Sequence, residues 1–517
     1  MKMRTVLEGI GASLLLFPYY VPFFHPQNHP IYHHGLPITN LIGGLLVDLL
    51  CAAILVIGLL VAIQYLRPPV QRIVEAMFAG LMLWSAVSLA FHVLIDLLFR
   101  ITYWGHIWER SVVVILASSA AIAYFLPRPT KPAVGAIRLM LAGLAFSALW
   151  IVPQLIHLAL LRPPAQHAAF AFEAAGSHDS SKQRIVWILF DELSYDQTFD
   201  HPALGIELPN FDRLRAGSVS FSKLKPIGYT TDRIIPSLFL GVRIDKFRST
   251  NEGQLSYWDE AQRNWLAYDP NATLFGLARR SGWKSAVDGW YNPYCGILAP
   301  TLDFCYRDPG IVLVPIEEYG ASEDLSPLAN AVAVPNEIQA ALTGRTKNTA
   351  AEHMRAYLNI MAHTQAIIDD SRLRFAFLHI PAPHPPGIYD RRSHSLRPGG
   401  NYLDNLVLAD DTLGVLMREI DASPSASQTT VIVSSDHSWR IPMWRPAADW
   451  SAEEERASAG KFDDRPVLLV HFPDRKTGEE IHAGLSEMLE HDIIAGMLRG
   501  QINNQEDLDA FLSPRLH

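Results

Sequence analysis

Five stretches of mostly apolar side chains, separated by short polar segments, occupy the first 162 residues. They cover about Val6–Phe24, Leu41–Leu66, Ile73–Phe99, Ser111–Leu126 and Leu139–Leu161. The second, third and fifth are long enough for helices that cross roughly 30 Å of hydrocarbon. The fourth is short but contains no charged residue, and the first contains Glu8 and two prolines, which leaves its spanning open. We therefore predict an α-helical transmembrane domain of about five spans over residues 1–162.

Lysine and arginine residues between these stretches predict the orientation. If every stretch spans, three basic clusters fall on one side of the membrane, which the positive-inside rule makes cytoplasmic. The clusters are Lys2 with Arg4, Arg67 with Arg72, and Arg128 with Lys131 and Arg138. Arg100 and Arg110 in the opposing loops are a weaker counter-signal. We expect a multi-pass protein of a bacterial-type inner membrane, with the residues from Arg162 onward on the periplasmic or extracellular side.

The pattern changes after a linker at 163–182 that is rich in Ala, His, Ser and Gly. Over residues 183–517, short runs of β-branched and apolar residues alternate with stretches of helical periodicity. This alternation predicts an α/β domain with a mainly parallel central sheet. The predicted strands are Arg184–Phe190, Trp283–Val287, Leu373–His379, Thr429–Val433 and Pro466–Phe472.

Two acids, Asp191 and Glu192, directly follow the first predicted strand. In open α/β sheets, ligands bind beyond the carboxyl ends of the strands. Adjacent carboxylates at such a place are costly to desolvate unless a positive charge offsets them. The pair therefore indicates either a divalent metal site or a simple acidic turn.

A second strand end also carries potential metal ligands. The run Thr429–Val433 is followed by two serines and then by Asp436 and His437. A carboxylate next to an imidazole suits Zn²⁺ or Mn²⁺. Two acid-bearing strand ends in one domain favour a site for one or two divalent ions over an acidic turn.

Hydroxyl and imidazole groups lie in two further segments. The segment YTTDRIIPSLFLG carries Thr230 and Thr231 ahead of an apolar stretch, where they are candidate nucleophiles or simple helix caps. The segment FLHIPAPHPPGIYD carries His379 and His384 in a proline-rich loop, and a surface histidine is the alternative there.

Three of these segments, which carry Asp191, the two threonines and the Asp436–His437 pair in that order along the chain, together resemble the sulfatase-like branch of the alkaline phosphatase superfamily. The resemblance covers about residues Lys182–Pro473, and the proline-rich segment resembles the family's His-Pro-rich loop. The resemblance implies that fold for the C-terminal domain. It also implies Asp191, Asp436 and His437 as metal ligands, with Glu192, where sulfatases carry a second acid, as a further ligand or a residue that orients the ligands. His384, and next to it His379, match the histidine that contacts the substrate.

One departure from the sulfatases changes the expected chemistry. Sulfatases carry Cys-x-Pro-Ser-Arg, in which the Cys is oxidised to formylglycine, but here those Cys and Arg positions are Ile234 and Leu238. No formylglycine can form at Ile234. Membrane phosphoethanolamine and phosphoglycerol transferases, which this region also resembles, use a threonine slightly upstream. That match selects Thr231, with Thr230 as the alternative.

Charge, cysteines and one basic residue refine the picture. The net charge of −9 gives no indication of nucleic-acid binding. Cys295 and Cys305 bracket a short loop, so a disulfide is expected if the loop is extracytoplasmic, two free thiols being the alternative.

Arg440 follows the Asp-His pair within a Trp-Arg cluster, which either binds an anionic or sugar substrate or packs internally.

Three hypotheses about function follow. In the first, a membrane phosphotransferase moves a lipid-derived headgroup onto an envelope glycan or lipid through a phospho-threonine intermediate. In the second, the protein is a membrane-tethered phosphodiesterase or sulfuric-ester hydrolase, and in the third it is a non-catalytic envelope scaffold. The candidate nucleophile and ligands disfavour the third, and the missing Cys disfavours a sulfatase. The anchor of several spans favours the first by fold-level analogy. The oligomeric state stays open.

Overall fold

A computed structural model of the protein describes residues 3–16, 31, 36–99, 107–162, 183–249, 254–308, 325–332, 349–447, 449–459, 462–474 and 477–516. The predicted linker at 163–182 lies outside these residues. The chain divides into two compact units. The first consists of residues 1–162 together with 251–253 and 313–345, and the second contains the rest of the chain.

The long secondary-structure elements of the first unit, among the described residues, are all α-helices. Its helices are α1 (Met3–Leu16), α2 (Thr39–Ile63), α3 (Pro68–Phe99), α4 (Ile107–Phe125), α5 (Pro127–Leu144) and α6 (Ala148–Leu160). Within the described ranges, three helical segments are long and apolar enough to cross a membrane, namely Thr39–Ile63, Pro68–Ala90 and Pro127–Leu160. They correspond to the second, third and fifth predicted stretches. A five-span domain stays a prediction, because α1 ends at Leu16 and the remainder of the first stretch is not described.

A buried ion pair explains how α1 accommodates an acid. Glu8 is fully buried, and its carboxylate lies 2.7 Å from Arg138 Nη2 on α5 and 2.8 Å from Arg4 Nε. A charge in an apolar helix is tolerated when a partner of opposite sign lies within reach. The pair therefore ties α1 to α5 inside the first unit.

The second unit alternates strands and helices. Its strands are β1 (Arg184–Phe190), β2 (Val219–Phe221), β3 (Phe247–Ser249), β4 (Leu255–Asp259), β5 (Asn264–Ala267), β6 (Lys284–Trp290), β7 (Phe304–Asp308), β8 (Leu373–Ile380), β9 (Tyr389–Asp390), β10 (Ser395–Leu396), β11 (Thr429–Ser435), β12 (Leu468–His471) and β13 (Glu479–Ile481). Its helices are α7 (Pro209–Ala216), α8 (Thr231–Leu240), α9 (Leu274–Arg280), α10 (Tyr294–Ile297), α11 (Thr349–Asp369), α12 (Tyr402–Ala422), α13 (Ile441–Trp444), α14 (Ala452–Ser458), α15 (Leu489–Leu498) and α16 (Gln505–Leu512).

The central sheet has the strand order β13-β2-β12-β11-β1-β8-β6-β7. Neighbouring strands from β11 to β7 are all parallel, and β12 pairs antiparallel with both β11 and β2. This arrangement confirms the prediction of an α/β domain with a mainly parallel sheet. β6 extends to Trp290, three residues beyond the predicted end, because its pairing with β7 continues to that residue.

Strand β1 shows why the sheet is covered on both faces. All seven of its residues are buried. Ile185, Trp187 and Leu189 belong to one hydrophobic cluster, and the alternate residues from Val186 to Phe190 belong to another. Side chains alternate between the two faces of a strand, so helices pack on both sides. Helices α8, α9 and α15 cover the first face, and α7, α11 and α12 cover the second.

Arg184 begins β1 and is buried, which leads to a stability prediction. Its guanidinium donates to the backbone oxygens of Ile367, Ile368 and Leu373 at 2.9–3.1 Å, and to Ser425 Oγ at 2.8 Å. Burial lowers the pKa of Arg184 to about 10, so the group stays charged near neutral pH. An Arg184→Met variant leaves these acceptors unpaired, and we expect it to lower the free energy of unfolding by about 2–4 kcal/mol.

Thermal unfolding of the full chain in detergent would measure this change. Arg279→Met is a matched control, since Arg279 is exposed on α9. Surface changes of this kind usually stay within about 0.5 kcal/mol. Equal melting temperatures for the two variants would contradict the structural role of Arg184.

Candidate active site

The first two site residues follow neighbouring strands at the same edge of the sheet. β1 and β11 pair in parallel, with Phe190 opposite Ser435. Asp191 and Asp436 are the next residues on each strand, and both are almost completely buried. The register therefore brings together two carboxylates that lie far apart in sequence.

His437 completes a compact cluster of potential metal ligands. One ligand atom from each of Asp191, Asp436 and His437 lies within 4.8 Å of the other two. His437 Nε2 lies 3.1 Å from Asp436 Oδ2 and 4.0 Å from Asp191 Oδ1. Asp191 Oδ1 is buried and has no hydrogen-bond partner among the described residues. A buried, unpaired carboxylate oxygen beside a second carboxylate and an imidazole fits a divalent cation.

The electrostatics of this cluster also favour a cation. Burial raises the pKa of Asp191 well above its ordinary value, and the negative charge of Asp436 raises it further. Burial likewise raises the pKa of Asp436. Burial and the positive charge of Arg440 lower the pKa of His437 to about 3, so its imidazole is neutral near pH 7. Two acids that resist ionisation and a neutral imidazole are the groups that a bound cation would stabilise.

Thr231 is the first residue of α8 and lies against this cluster. Its hydroxyl donates to Asp436 Oδ2 at 2.7 Å and lies 3.3 Å from His437 Nε2. Its backbone oxygen accepts from Asn292 Nδ2 at 3.1 Å. The side chain of Thr231 is therefore oriented toward the carboxylate and not toward the helix backbone.

Thr230 occupies the N-cap position of α8 and has a different environment. Its backbone oxygen accepts from Arg233 N and Ile234 N, both at 3.1 Å, but its side chain makes no capping hydrogen bond. Ile234 and Leu238, at the positions of the sulfatase Cys and Arg, are buried in the hydrophobic core. Ile234 and Leu238 thus serve packing.

The carboxylate of Glu192 is held by an arginine and a tryptophan. It accepts a hydrogen bond from Arg440 Nε and from Trp444 Nε1, the latter at 2.9–3.0 Å. The backbone of Glu192 has a left-handed φ of 66°, and its N–H donates to Asp436 Oδ1 at 3.1 Å. Glu192 is not part of the compact ligand cluster. It connects that cluster, through its backbone, to Arg440.

Arg440 and His384 form a second polar group that is suited to an anion. Arg440 Nη2 lies 3.1 Å from His384 Nε2. Burial lowers the pKa of Arg440, but the charges of Glu192 and Asp191 outweigh this effect and hold it above its ordinary value. Burial and Arg440 lower the pKa of His384 well below its usual range. A fixed cation thus lies beside a neutral imidazole.

His379, the second histidine of the predicted substrate loop, lies on β8 behind Asp191. It is fully buried, and its Nε2 lies 3.4 Å from Asp191 Oδ2. Its Nδ1 lies 2.7 Å from the hydroxyl of Tyr294. Burial lowers its pKa to about 4. This position supports the orientation of Asp191.

Sequence reasoning missed three residues at the end of β6 and just after it. Trp290 Nε1 donates to Asp191 Oδ2 at 3.0 Å, Asn292 binds the backbone of Thr231, and Tyr294 contacts His379. Their segment, WYNPY, begins at the end of a third parallel strand on the same edge of the sheet. That position was the available signal, and the predicted strand ended three residues too early to reveal it.

A disulfide fixes the same region. Cys295 on α10 is joined to Cys305 on β7. The bond lies next to Tyr294 in sequence and connects the segment that carries the missed residues to the edge strand of the sheet.

No family model matches this chain, and no curated protein matches it. Among solved structures, it is similar to an alkaline phosphatase superfamily protein from Vibrio parahaemolyticus, with 14% identity and a TM-score of 0.36 over 61% of this chain and 66% of the other. It is similar to a sulfatase from a Pseudoalteromonas species, with 15% identity and a TM-score of 0.42 over 62% of this chain and 68% of the other.

A phosphonate monoester hydrolase of Agrobacterium radiobacter is also similar, with 13% identity and a TM-score of 0.37 over 62% of this chain and 74% of the other. At these values the likeness carries no information about the substrate or the reaction. The similar structures include sulfatases and a protein of the alkaline phosphatase superfamily, which is the group that the sequence motifs of this chain resemble.

Proposed function

We propose that this chain is a membrane-anchored phosphotransferase that moves a phospholipid-derived headgroup to an envelope glycan or lipid. In this proposal Thr231 is the nucleophile and forms a phospho-threonine intermediate. The observation that carries it is the 2.7 Å hydrogen bond from Thr231 Oγ1 to Asp436 Oδ2, a carboxylate of the buried ligand cluster. A hydroxyl aimed at such a cluster is poised for activation as a nucleophile.

The proposed ligands of one divalent cation, Zn²⁺ or Mn²⁺ by ligand type, are Asp191, Asp436 and His437. Glu192 would instead keep its ion pair with Arg440. When bound, the cation would supply a lowered pKa for the Thr231 hydroxyl and positive charge near the phosphate oxygens. Asp436 Oδ2 is the first acceptor for the hydroxyl proton, because the hydrogen bond already points there. The bond from Oγ1 to phosphorus forms as the bond from phosphorus to the diacylglycerol oxygen breaks, and that oxygen leaves with a proton taken from water.

Arg440 is the proposed anchor for the phosphate. Its Nε is used by Glu192 and its Nη2 contacts His384, which together fix the plane of the guanidinium. The other N–H groups of that plane are suited to two oxygens of one phosphate. In the second half of the reaction an acceptor alcohol attacks phosphorus, and Thr231 Oγ1 leaves and regains its proton.

The proposed location is an inner membrane, with the second unit on the periplasmic side. The three apolar helical segments support membrane association. The positions of the basic clusters and the Cys295–Cys305 disulfide support an extracytoplasmic second unit. A phospholipid donor would then be available in the outer leaflet.

Mass spectrometry of the threonine pair tests this function. The full chain would be incubated with vesicles of phosphatidylethanolamine and phosphatidylglycerol, and the peptide with Thr230 and Thr231 would be analysed. We expect a phosphoethanolamine or phosphoglycerol adduct on Thr231, with release of diacylglycerol. Thr231→Ala should lose both the adduct and the release, whereas Thr230→Ala, the neighbouring control, should keep both.

Three results would contradict the proposal. An adduct confined to Thr230, or full diacylglycerol release by Thr231→Ala, would reject Thr231 as the nucleophile. Release of the headgroup phosphate into water at the same rate with and without an added alcohol acceptor would identify a hydrolase and reject the transferase.

A further inference from the structure

A short helix at 327–332 belongs to the first unit, although its sequence position lies between β7 and α11 of the second unit. Ser326 caps this helix, since its hydroxyl accepts from Ala329 N at 3.2 Å. The helix has two distinct faces. Asn330 and Ala331 are buried, and Pro327 is half-buried. These three positions form one stripe at helical spacing.

The buried stripe packs on α2 at a pair of glycines. A Cβ added to Gly43 would lie 2.9 Å from Pro327 Cβ, and one added to Gly44 would lie 2.6 Å from Asn330 Cβ. Both distances are shorter than the contacts that Cβ atoms make in real proteins. The short helix therefore approaches the backbone of α2 closely because these two positions carry no side chain.

The opposite face is apolar and open. Leu328 is 68% exposed and Val332 is 51% exposed, and Leu325, just before the helix, is 38% exposed. Large apolar side chains grouped on one exposed helix face are unfavourable in water. Their grouping points to a partner that is itself apolar.

The position along α2 identifies that partner. Gly43 and Gly44 lie four and five residues after the start of α2 at Thr39, which is about 6–8 Å along the helix axis. The 25 residues of α2 span about 37 Å, which exceeds roughly 30 Å of hydrocarbon by several ångström. The contact therefore falls where the hydrocarbon meets the headgroups. Arg67 and Arg72 follow the other end of α2, which makes the Thr39 end extracytoplasmic.

We propose that the helix at 327–332 lies on the extracytoplasmic surface of the bilayer, with Leu325, Leu328 and Val332 inserted among the lipids. Such insertion would hold residues 325–332 of the first unit at the membrane surface. The inference goes beyond the proposed chemistry: it rests on the proposed membrane orientation and concerns lipid contact, not the fate of a phosphate.

Fluorescence quenching at a single cysteine tests the lipid contact. Cys51, the free and exposed cysteine, would first be replaced by serine, and the Cys295–Cys305 disulfide would be kept. Leu328→Cys would carry an environment-sensitive fluorophore in vesicles of phosphatidylethanolamine and phosphatidylglycerol. Leu204→Cys is the control, because Leu204 is fully exposed in the second unit.

We expect lipid-borne nitroxides to quench the label at Leu328 several-fold more than the label at Leu204, with aqueous iodide showing the reverse order. Equal iodide quenching at both sites would overturn the proposal. So would a Leu328 label that neither quencher reaches, because protein would then cover this face.

A glycine variant adds a second, independent readout. Gly44→Ala should displace the helix from α2 and reduce lipid quenching at position 328. Gly58→Ala on the same helix should leave it unchanged, because a Cβ at Gly58 meets nothing within 4 Å. Diacylglycerol release, measured in parallel, separates this proposal from the proposed function. Loss of quenching with normal release would affect only the lipid contact.

Discussion

An Asp436→Asn variant should have a headgroup-transfer rate lower than that of the wild type by a factor on the order of 1,000. The substitution keeps the shape of the side chain and an acceptor for the Glu192 N–H. It replaces Oδ2, the oxygen that accepts from Thr231 and lies 3.1 Å from His437 Nε2, with a group that donates instead. The hydroxyl then loses its proton acceptor, and the ligand cluster loses one of its two carboxylates.

Metal content, measured by elemental analysis of the purified full chain, should fall together with diacylglycerol release from phosphatidylethanolamine vesicles. Asp410→Asn is the matched control, because Asp410 is also buried but accepts from the backbone of Asn210 and Phe211. That control should lose stability and keep its metal. An Asp436→Asn protein with a full complement of metal and unchanged release would reject the assigned cluster.

A Glu192→Ala variant should lower the free energy of unfolding by about 3–5 kcal/mol. Glu192 is fully buried, and Arg440 has only 15% of its side chain exposed. Removal of the carboxylate leaves a charged guanidinium without its partner and the Trp444 N–H without its acceptor. The free energy of unfolding of Glu192→Gln should lie between those of Glu192→Ala and the wild type, because the amide oxygen still accepts one hydrogen bond.

Thermal and denaturant unfolding of the full chain would measure this loss. Asp245→Ala is the control, because it removes an exposed ion pair in which the Asp245 side chain is 40% exposed and that of Arg243 is 63% exposed. It should change the free energy of unfolding by less than about 1 kcal/mol. If Glu192→Ala were as stable as Asp245→Ala, the buried pair would not hold Arg440. Transfer should also slow in Glu192→Ala, because Arg440 would lose its fixed orientation.

The ligand cluster could be predicted from the sequence because it depends on periodicity and strand order. Arg184–Phe190 and Thr429–Val433 are both rich in apolar and β-branched residues; the first leads directly into Asp191, and the second reaches Asp436 after two serines. Parallel strands then place Asp191 and Asp436 at one edge. Thr231 needed one more step, the match to transferase motifs, because two adjacent threonines carry the same local pattern.

The rest of the site depends on contacts that no local pattern contains. The sequence leaves Glu192 open as a further ligand or as a residue that orients the ligands. In the structure a left-handed backbone turns its carboxylate toward Arg440. The partner lies 248 residues later in the chain. Trp290 and Tyr294 look like ordinary core aromatics in the sequence. Their contacts with the site depend on the pairing of β6 with β8. That pairing brings both aromatic side chains against the His379 ring.

The register of β1 with β11 has a consequence for synthesis of the chain. The Glu192 N–H and its acceptor on Asp436 are separated by 244 residues. β1 is synthesised before its neighbour β11, and Asp436 and His437 follow β11 in the chain. Until then Asp191 lacks the two other groups of the cluster, and Glu192 lacks Arg440. A ribosome-bound chain that stops before β11 therefore cannot assemble this cluster, which depends on contacts distant in sequence.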